Sequence, residues 1–213
     1  MTAPTPLVFY AGREYLITVL DRAETPEPLR DGPMAWSQND SRWAHLDYAP
    51  GWTFRQAGCL VCCVAMLASL AYPEDPPTPV KVAEGLTAVG AFGGGLLSRP
   101  ARISQAFDRL RWDGYLHWRS IPARLDIISQ EIAEYGATIV ELVWNPQDQR
   151  PPQAGNQHFA VAVGVVGAVT PPDVVIIDPW DGQQKMLGAS AYAKPVRWSA
   201  ARAVHGVRLL RIV

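Results

Sequence analysis

The hydrophobic period of this chain changes near Gly136, and that change limits the folds open to it. Beyond the glycine, "ATIVELVW", "HFAVAVGVV", "VVIIDPW" and "HGVRLLRIV" alternate or run unbroken in β-branched residues, so they read as strands. Upstream the spacing is helical. Cys59, Cys62, Cys63, Met66, Leu67 and Leu70 fall at i, i+3, i+4, i+7, i+8 and i+11, one apolar face of a helix that Pro73 stops. "TPVKVAEGLTAVGAF" predicts a second helix with Pro79 in its first turn. "RPARISQAFDRLRW" and "PARLDIISQEIAEYG" predict two more, the latter ended by Gly136. Helices first and strands later point to an α+β fold, an N-terminal helical part packed on a mainly antiparallel β-sheet.

Two units are expected. Residues 1–34 hold an N-terminal β-hairpin extension, "PLVFYAG" with "REYLITVLDR", and a Pro-rich connector, "AETPEPLRDGP". Residues 35–213 form the main domain. Within it, "MAWSQNDSRWAHLDYAPGWTF" reads as an ordered loop pinned by aromatics, and "GGGLLS" as a flexible link. No internal repeat or low-complexity tract is present.

Composition narrows the partners. Hydrophobic residues make up 48% and charged residues 18%, enough apolar material for a full core. The formal net charge is -1 with no basic stripe, which argues against nucleic acid and anionic membrane as partners. No apolar run approaches the roughly 20 residues of a membrane helix, so no membrane insertion is expected. The N-terminus lacks a charged region followed by an apolar one, so no signal peptide is expected. Synthesis in the cytoplasm follows, with any release by lysis or a non-standard route. The N-terminal hairpin is a candidate docking element for a protein partner.

All three cysteines lie within "GCLVCC". An odd, tightly spaced set is not a secreted disulfide framework, so reduced thiols are expected. Cys59-x-x-Cys62 has the spacing of half a zinc site, but no second pair exists and His45, His117, His158 and His205 are scattered. No metal and no cofactor are therefore expected. A thioredoxin-type pair lacks its preceding βαβ unit. The remaining reading separates the thiols. Gly58 breaks the chain and puts Cys59 in the first helical turn, where the dipole and unpaired N–H groups favour a thiolate. Cys62 and Cys63 lie a turn deeper as small apolar residues. The alternative is that all three are core.

A base can be placed. His158 opens "HFAVAVGVV" and Asp178 closes "VVIID". If these strands pair as a hairpin, the two residues become neighbours, and the acid can fix the imidazole tautomer. Taken singly, His158 could be a strand-edge histidine and Asp178 the start of an Asp-Pro turn. For an oxyanion, the N–H of Cys59 and a side-chain amide are candidates. Gln38 is preferred to Gln56, which is close to Cys59 in sequence; an ordinary loop glutamine is the alternative.

In order, "WSQNDSRWAHLDY", "GCLVCCVAMLASLAY", "NQHFAVAVGVV" and "VVIIDPWDG" resemble the C39-like branch of the papain-like cysteine peptidases. That pattern runs Q-x-D-x-x-W, Gly-Cys opening an apolar helix, a His at a strand start, then Asp-Pro-Trp. It covers Ala35 to about Gly188. The resemblance implies a papain-like fold, Cys59 as nucleophile, His158 as general base, Asp178 as orienting acid and Gln38 as oxyanion donor. It implies a scaffold role for Asp40 and Trp43, and for Trp180 a shield over the His–Asp hydrogen bond. Trp36, Trp43 and Trp180 are candidates for lining an apolar or glycan-facing groove, with core packing the equal alternative.

The family cuts peptides, such as leader peptides after a Gly-Gly pair, and includes domains acting on cell-wall peptides. Leader-cleaving relatives are usually joined to a membrane transporter, which argues against the exporter role here. The expected activity is that of a cysteine peptidase or amidase on a peptide substrate, with a peptidoglycan stem or cross-link peptide one candidate. Alternatives are a non-catalytic binding or assembly module of the same fold, and an acyl transferase using the same triad.

Overall fold

The computed structural model describes residues 7–10, 13–16, 32–118, 122–145, 156–167 and 171–213. Strands β1 (Leu7–Tyr10) and β2 (Arg13–Leu16) pair antiparallel, Leu7 opposite Leu16, as a separate two-stranded sheet. They occupy the two segments read as a hairpin. Residues 23–31 of the Pro-rich connector lie outside the described residues.

The aromatic-rich segment is more regular than a loop. It contains a small hairpin, β3 (Asp47–Ala49) and β4 (Trp52–Thr53), turning at Gly51 with φ +77°. A one-turn helix, α1 (Phe54–Ala57), follows directly. Thr53 and Gln56 close it with a reciprocal capping box, two side chains satisfying two backbone N–H groups.

Helix α2 (Cys59–Ala71) begins one residue later. It is wider in burial than the single apolar face its spacing suggested. Every residue from Val61 to Ser69 is buried, because Val64, Ala65 and Ala68 fill the faces between the heptad-like positions. Helix α3 (Pro79–Ala88) starts at a Thr78 cap, with Pro79 in the first turn. "GGGLLS" closes as a turn, Gly93 N–H donating to Leu96 O at 2.9 Å and Leu96 N–H returning at 3.2 Å.

The expected helix over "RPARISQAFDRLRW" is overturned in its second half. Only α4 (Ile103–Ala106) is α-helical, and β5 (Leu110–His117) takes over within four residues. In β5 every second residue from Leu110 is the more buried one, a period of two, and Gly114 sits at φ +113°, outside helical space. Pairing along a long partner strand outweighs helix propensity here.

Helix α5 (Leu125–Tyr135) ends at Gly136, which takes φ +83°. The remaining elements are β6 (Thr138–Val143), β7 (Gln157–Val166), β8 (Asp173–Asp178), β9 (Gln183–Met186), α6 (Ala200–Ala203) and β10 (Val204–Ile212). The main sheet has six strands in the order β5-β10-β6-β7-β8-β9, every pair antiparallel. The class is α+β. Strand β6 is buried along its whole length and β7 from His158 to Val163, as befits central strands covered on both faces. Helix α2 packs on β7 and β10, so the core lies between this helix and the sheet. Its fully buried Met66 and Leu67, at about 1.5–3 kcal/mol per large apolar side chain, fasten the helix to the strands. No helix of the described residues is long and apolar enough to cross a membrane.

Candidate active site

Two short-range decisions set the position of Cys59. Helices α1 and α2 are separated only by Gly58, whose N–H donates to Phe54 O at 2.8 Å. A Cβ at this position would lie 2.6 Å from Phe54 O and 2.8 Å from Phe54 Cα, so the close join requires glycine for space rather than for φ, which is −75°. Cys59 thus becomes the first residue of α2 and is half-buried, while Cys62 and Cys63 are fully buried. Burial pushes both deeper thiols well above their ordinary pKa. All three cysteines are free.

The sheet brings His158 to Asp178. In the β7–β8 ladder Val161 faces Ile177, so Asp178 falls opposite Ala160 and shares a face with His158 two residues along. His158 Nε2 and Asp178 Oδ1 are 2.8 Å apart, and each residue is 1% exposed. Burial alone would lower the imidazole pKa. The hydrogen bond to Asp178, then the interaction with Cys59, overcomes it and raises the ring from 6.5 to about 9. Since Nε2 is engaged by Asp178, Nδ1 is the nitrogen left for the sulfur.

Asp178 has four partners. Oδ1 accepts from His158 and from the Trp180 N–H at 2.9 Å; Oδ2 accepts from Lys185 Nζ at 2.9 Å and Tyr192 OH at 2.8 Å. Burial would raise this carboxyl, but His158, Lys185 and the Trp180 N–H together hold it well below the usual carboxylate range. It is a buried charge with every acceptor direction filled, the condition under which burying a charge is tolerable.

Gln38 is buried and ties this turn to the segment just before Cys59. Its N–H donates to Pro179 O at 2.6 Å, and its Nε2 donates to Arg55 O at 3.0 Å. Ser37 Oγ and Asn39 Nδ2 both donate to Trp180 O, at 3.1 and 2.7 Å. The loop therefore bridges α1, just before Cys59, and the turn just after Asp178. Gln56, by contrast, is committed to the capping box, its Oε1 accepting from Thr53 N–H at 3.0 Å.

The aromatic residues near the site differ in exposure. Trp36 and Trp43 are buried and pack edge to face with centroids 5.7 Å apart, and Trp43 Nε1 donates to Ser37 O at 2.8 Å. These two rings pack within the Gln38 loop. Asp40 closes the same loop through Arg42. Trp180 is 39% exposed and meets Trp144, equally exposed, at 4.8 Å. It is Trp144 that meets the imidazole edge to face at 4.9 Å, while Tyr192 stacks on it at 5.1 Å with planes 23° apart.

Sequence reasoning missed Trp144, Lys185 and Tyr192. Lys185 was within reach of it. Strand β9 pairs Lys185 with Ile176, which shares a face with Asp178, but "DGQQKM" is too short and polar to read as a strand. Trp144 and Tyr192 carry no motif spacing relative to His158. The chain matches none of the family models, curated proteins or solved structures with which it was compared.

Proposed function

We propose that the protein is a cysteine peptidase or amidase of papain-like, C39-like character, hydrolysing a peptide bond through Cys59, His158 and Asp178. The observation that carries this reading is the buried 2.8 Å His158–Asp178 pair, set in a site where the helix-opening Cys59 acts on the ring's pKa. A structural histidine needs only one satisfied nitrogen. Here one ring nitrogen is held by a buried carboxylate, and Cys59, which acts on the ring's pKa, is the least buried of the three cysteines.

In the proposed reaction the Cys59 thiolate attacks the amide carbonyl carbon, forming a carbon–sulfur bond as the carbonyl π pair moves to oxygen. The Cys59 N–H and the second hydrogen on Gln38 Nε2, beyond the one given to Arg55 O, would hold that oxyanion. The imidazolium gives its proton to the amine nitrogen as the carbon–nitrogen bond breaks, leaving a thioester and a neutral ring. Water then adds its oxygen to the thioester carbon while the ring takes one of its protons, and the carbon–sulfur bond breaks to release the acid and restore the thiolate–imidazolium pair. Asp178 remains ionised and holds the ring through both steps. Peptides are the proposed substrates, with cell-wall stem or cross-link peptides one candidate.

The test is amine release from peptide mixtures and from muropeptides, read by fluorescamine, with C59A as the control. Release by the wild type and none by C59A is expected. An equal signal from both proteins, or none from either together with ordinary thiol labelling, would overturn the reading. Transfer of the acyl group to an added amine in preference to water would reassign the site to a transferase.

A further inference from the structure

Asp178 faces the imidazole through one oxygen and is held through the other. Lys185 Nζ and Tyr192 OH both donate to Oδ2, at 2.9 and 2.8 Å. Lys185 reaches in from β9 and shares its ammonium with Asp181 Oδ2 at 2.9 Å. Tyr192 follows the helical turn after β9, and its ring lies on the imidazole itself. Two donors on Oδ2 restrict rotation of the carboxylate plane, which the His158 and Trp180 N–H bonds, both made to Oδ1, hold only from one side.

We propose that Lys185 and Tyr192 are positioning residues of this site, locking the Asp178 carboxylate so that Oδ1 meets His158 Nε2 and Nδ1 is turned to Cys59. The catalytic consequence rests on the triad reading above; the orientation itself does not. The charged or titratable groups around the ring are Cys59 from α2, Asp178 from β8, Lys185 from β9, Asp181 from the intervening turn and Tyr192. Cys62 and Cys63 remain neutral thiols beneath them. Burial and the Asp178 charge push the Tyr192 hydroxyl well above its ordinary range, so it stays a donor at working pH. Hydrogen bonds to Asp178 and Asp181 raise the Lys185 ammonium against its own burial, so it stays charged. Both residues therefore do more than fill space. They draw electron density from Asp178 and so limit how tightly the ring holds its proton.

The experiment is an NMR titration of ring-labelled histidine in the full chain, with the His158 Nε2–H resonance followed in parallel. In K185M the ring loses a nearby positive charge, and its midpoint is expected to rise by about half a pH unit or more. The Nε2–H signal should broaden as the carboxylate gains rotational freedom. K185R, which keeps charge and donor, should restore both. Y192F keeps the stacked ring but loses the hydroxyl, so a smaller upward shift with the same broadening is expected. Unchanged midpoint and unchanged Nε2–H signal in both K185M and Y192F would overturn the inference. If K185M fails to fold, K185R and Y192F decide it: a wild-type-like K185R with a shifted Y192F supports it, and an unshifted Y192F refutes it. Because the readout needs no substrate, shifts in a protein that cleaves nothing would sustain the positioning role while the proposed function fell.

Discussion

Replacing Asp178 by Asn removes one charge and keeps an atom of similar size beside His158 Nε2. In the wild type, burial lowers the imidazole pKa, and Asp178 followed by Cys59 reverses this to give about 9. The ordinary value is 6.5, so the gap is 9 − 6.5, about 2.5 pH units, or about 3 kcal/mol in favour of the charged ring. At pH 7 a group with a pKa of about 9 is charged over neutral by about 100 to 1. In D178N the same burial acts against Cys59 alone. Lys185, left with Asp181, adds a positive charge that Asp178 no longer neutralises. The midpoint is expected to fall to about 7 or below, so the neutral ring becomes at least an equal population at neutral pH. The assay is the ring-histidine titration from about pH 5 to about pH 10, with the resonance assigned through H158Q. A D178N midpoint within about half a pH unit of the wild-type value would refute this account of the ring's charge.

Other perturbations follow from the same geometry. G58A should lower stability by about 1–3 kcal/mol in urea unfolding, since a Cβ 2.6 Å from a backbone oxygen can be relieved only by moving α1; an unchanged midpoint contradicts this. M66A, at a fully buried position of α2, should cost about 2–5 kcal/mol in the same assay, whereas C59A should cost much less. The His158 pKa is raised, so its stabilisation is complete below about pH 6.5 and is lost as pH rises through about 9. Asp178 has the opposite sign, its contribution being present above about pH 4 and lost on acidification through its depressed value. The stability difference between wild type and H158Q should accordingly shrink between about pH 6 and about pH 10; a pH-independent difference would contradict the assignment.

The parts of the fold that follow from local period were legible. Helix α2 opens at Cys59 and stops before Pro73 because Gly and Pro bracket an unbroken helical pattern. The facing of His158 and Asp178 needed only one assumption, that two adjacent apolar strands make a hairpin. Strand β5 was not legible, because its identity depends on pairing with β10 at the far end of the chain. A segment with Arg, Gln and Ala before it looks helical until that partner is known. The role of Trp36 and Trp43 was ambiguous for a similar reason, since a tryptophan's burial depends on what the loop folds against. Lys185 and Tyr192 escaped notice because a carboxylate's remaining acceptors are filled from wherever the chain happens to pass. Their positions satisfy a charge in space and leave no mark in spacing.

The central claim is that His158, held by Asp178, makes the Cys59 sulfur reactive. The most direct measurement is the rate of iodoacetamide alkylation at each cysteine, mapped by mass spectrometry near neutral pH, in wild type and H158A. Cys59 should react faster than free glutathione and far faster than Cys62 or Cys63, and H158A should slow it by about tenfold or more. A Cys59 rate no greater than glutathione's, and indifferent to the loss of His158, would contradict the claim.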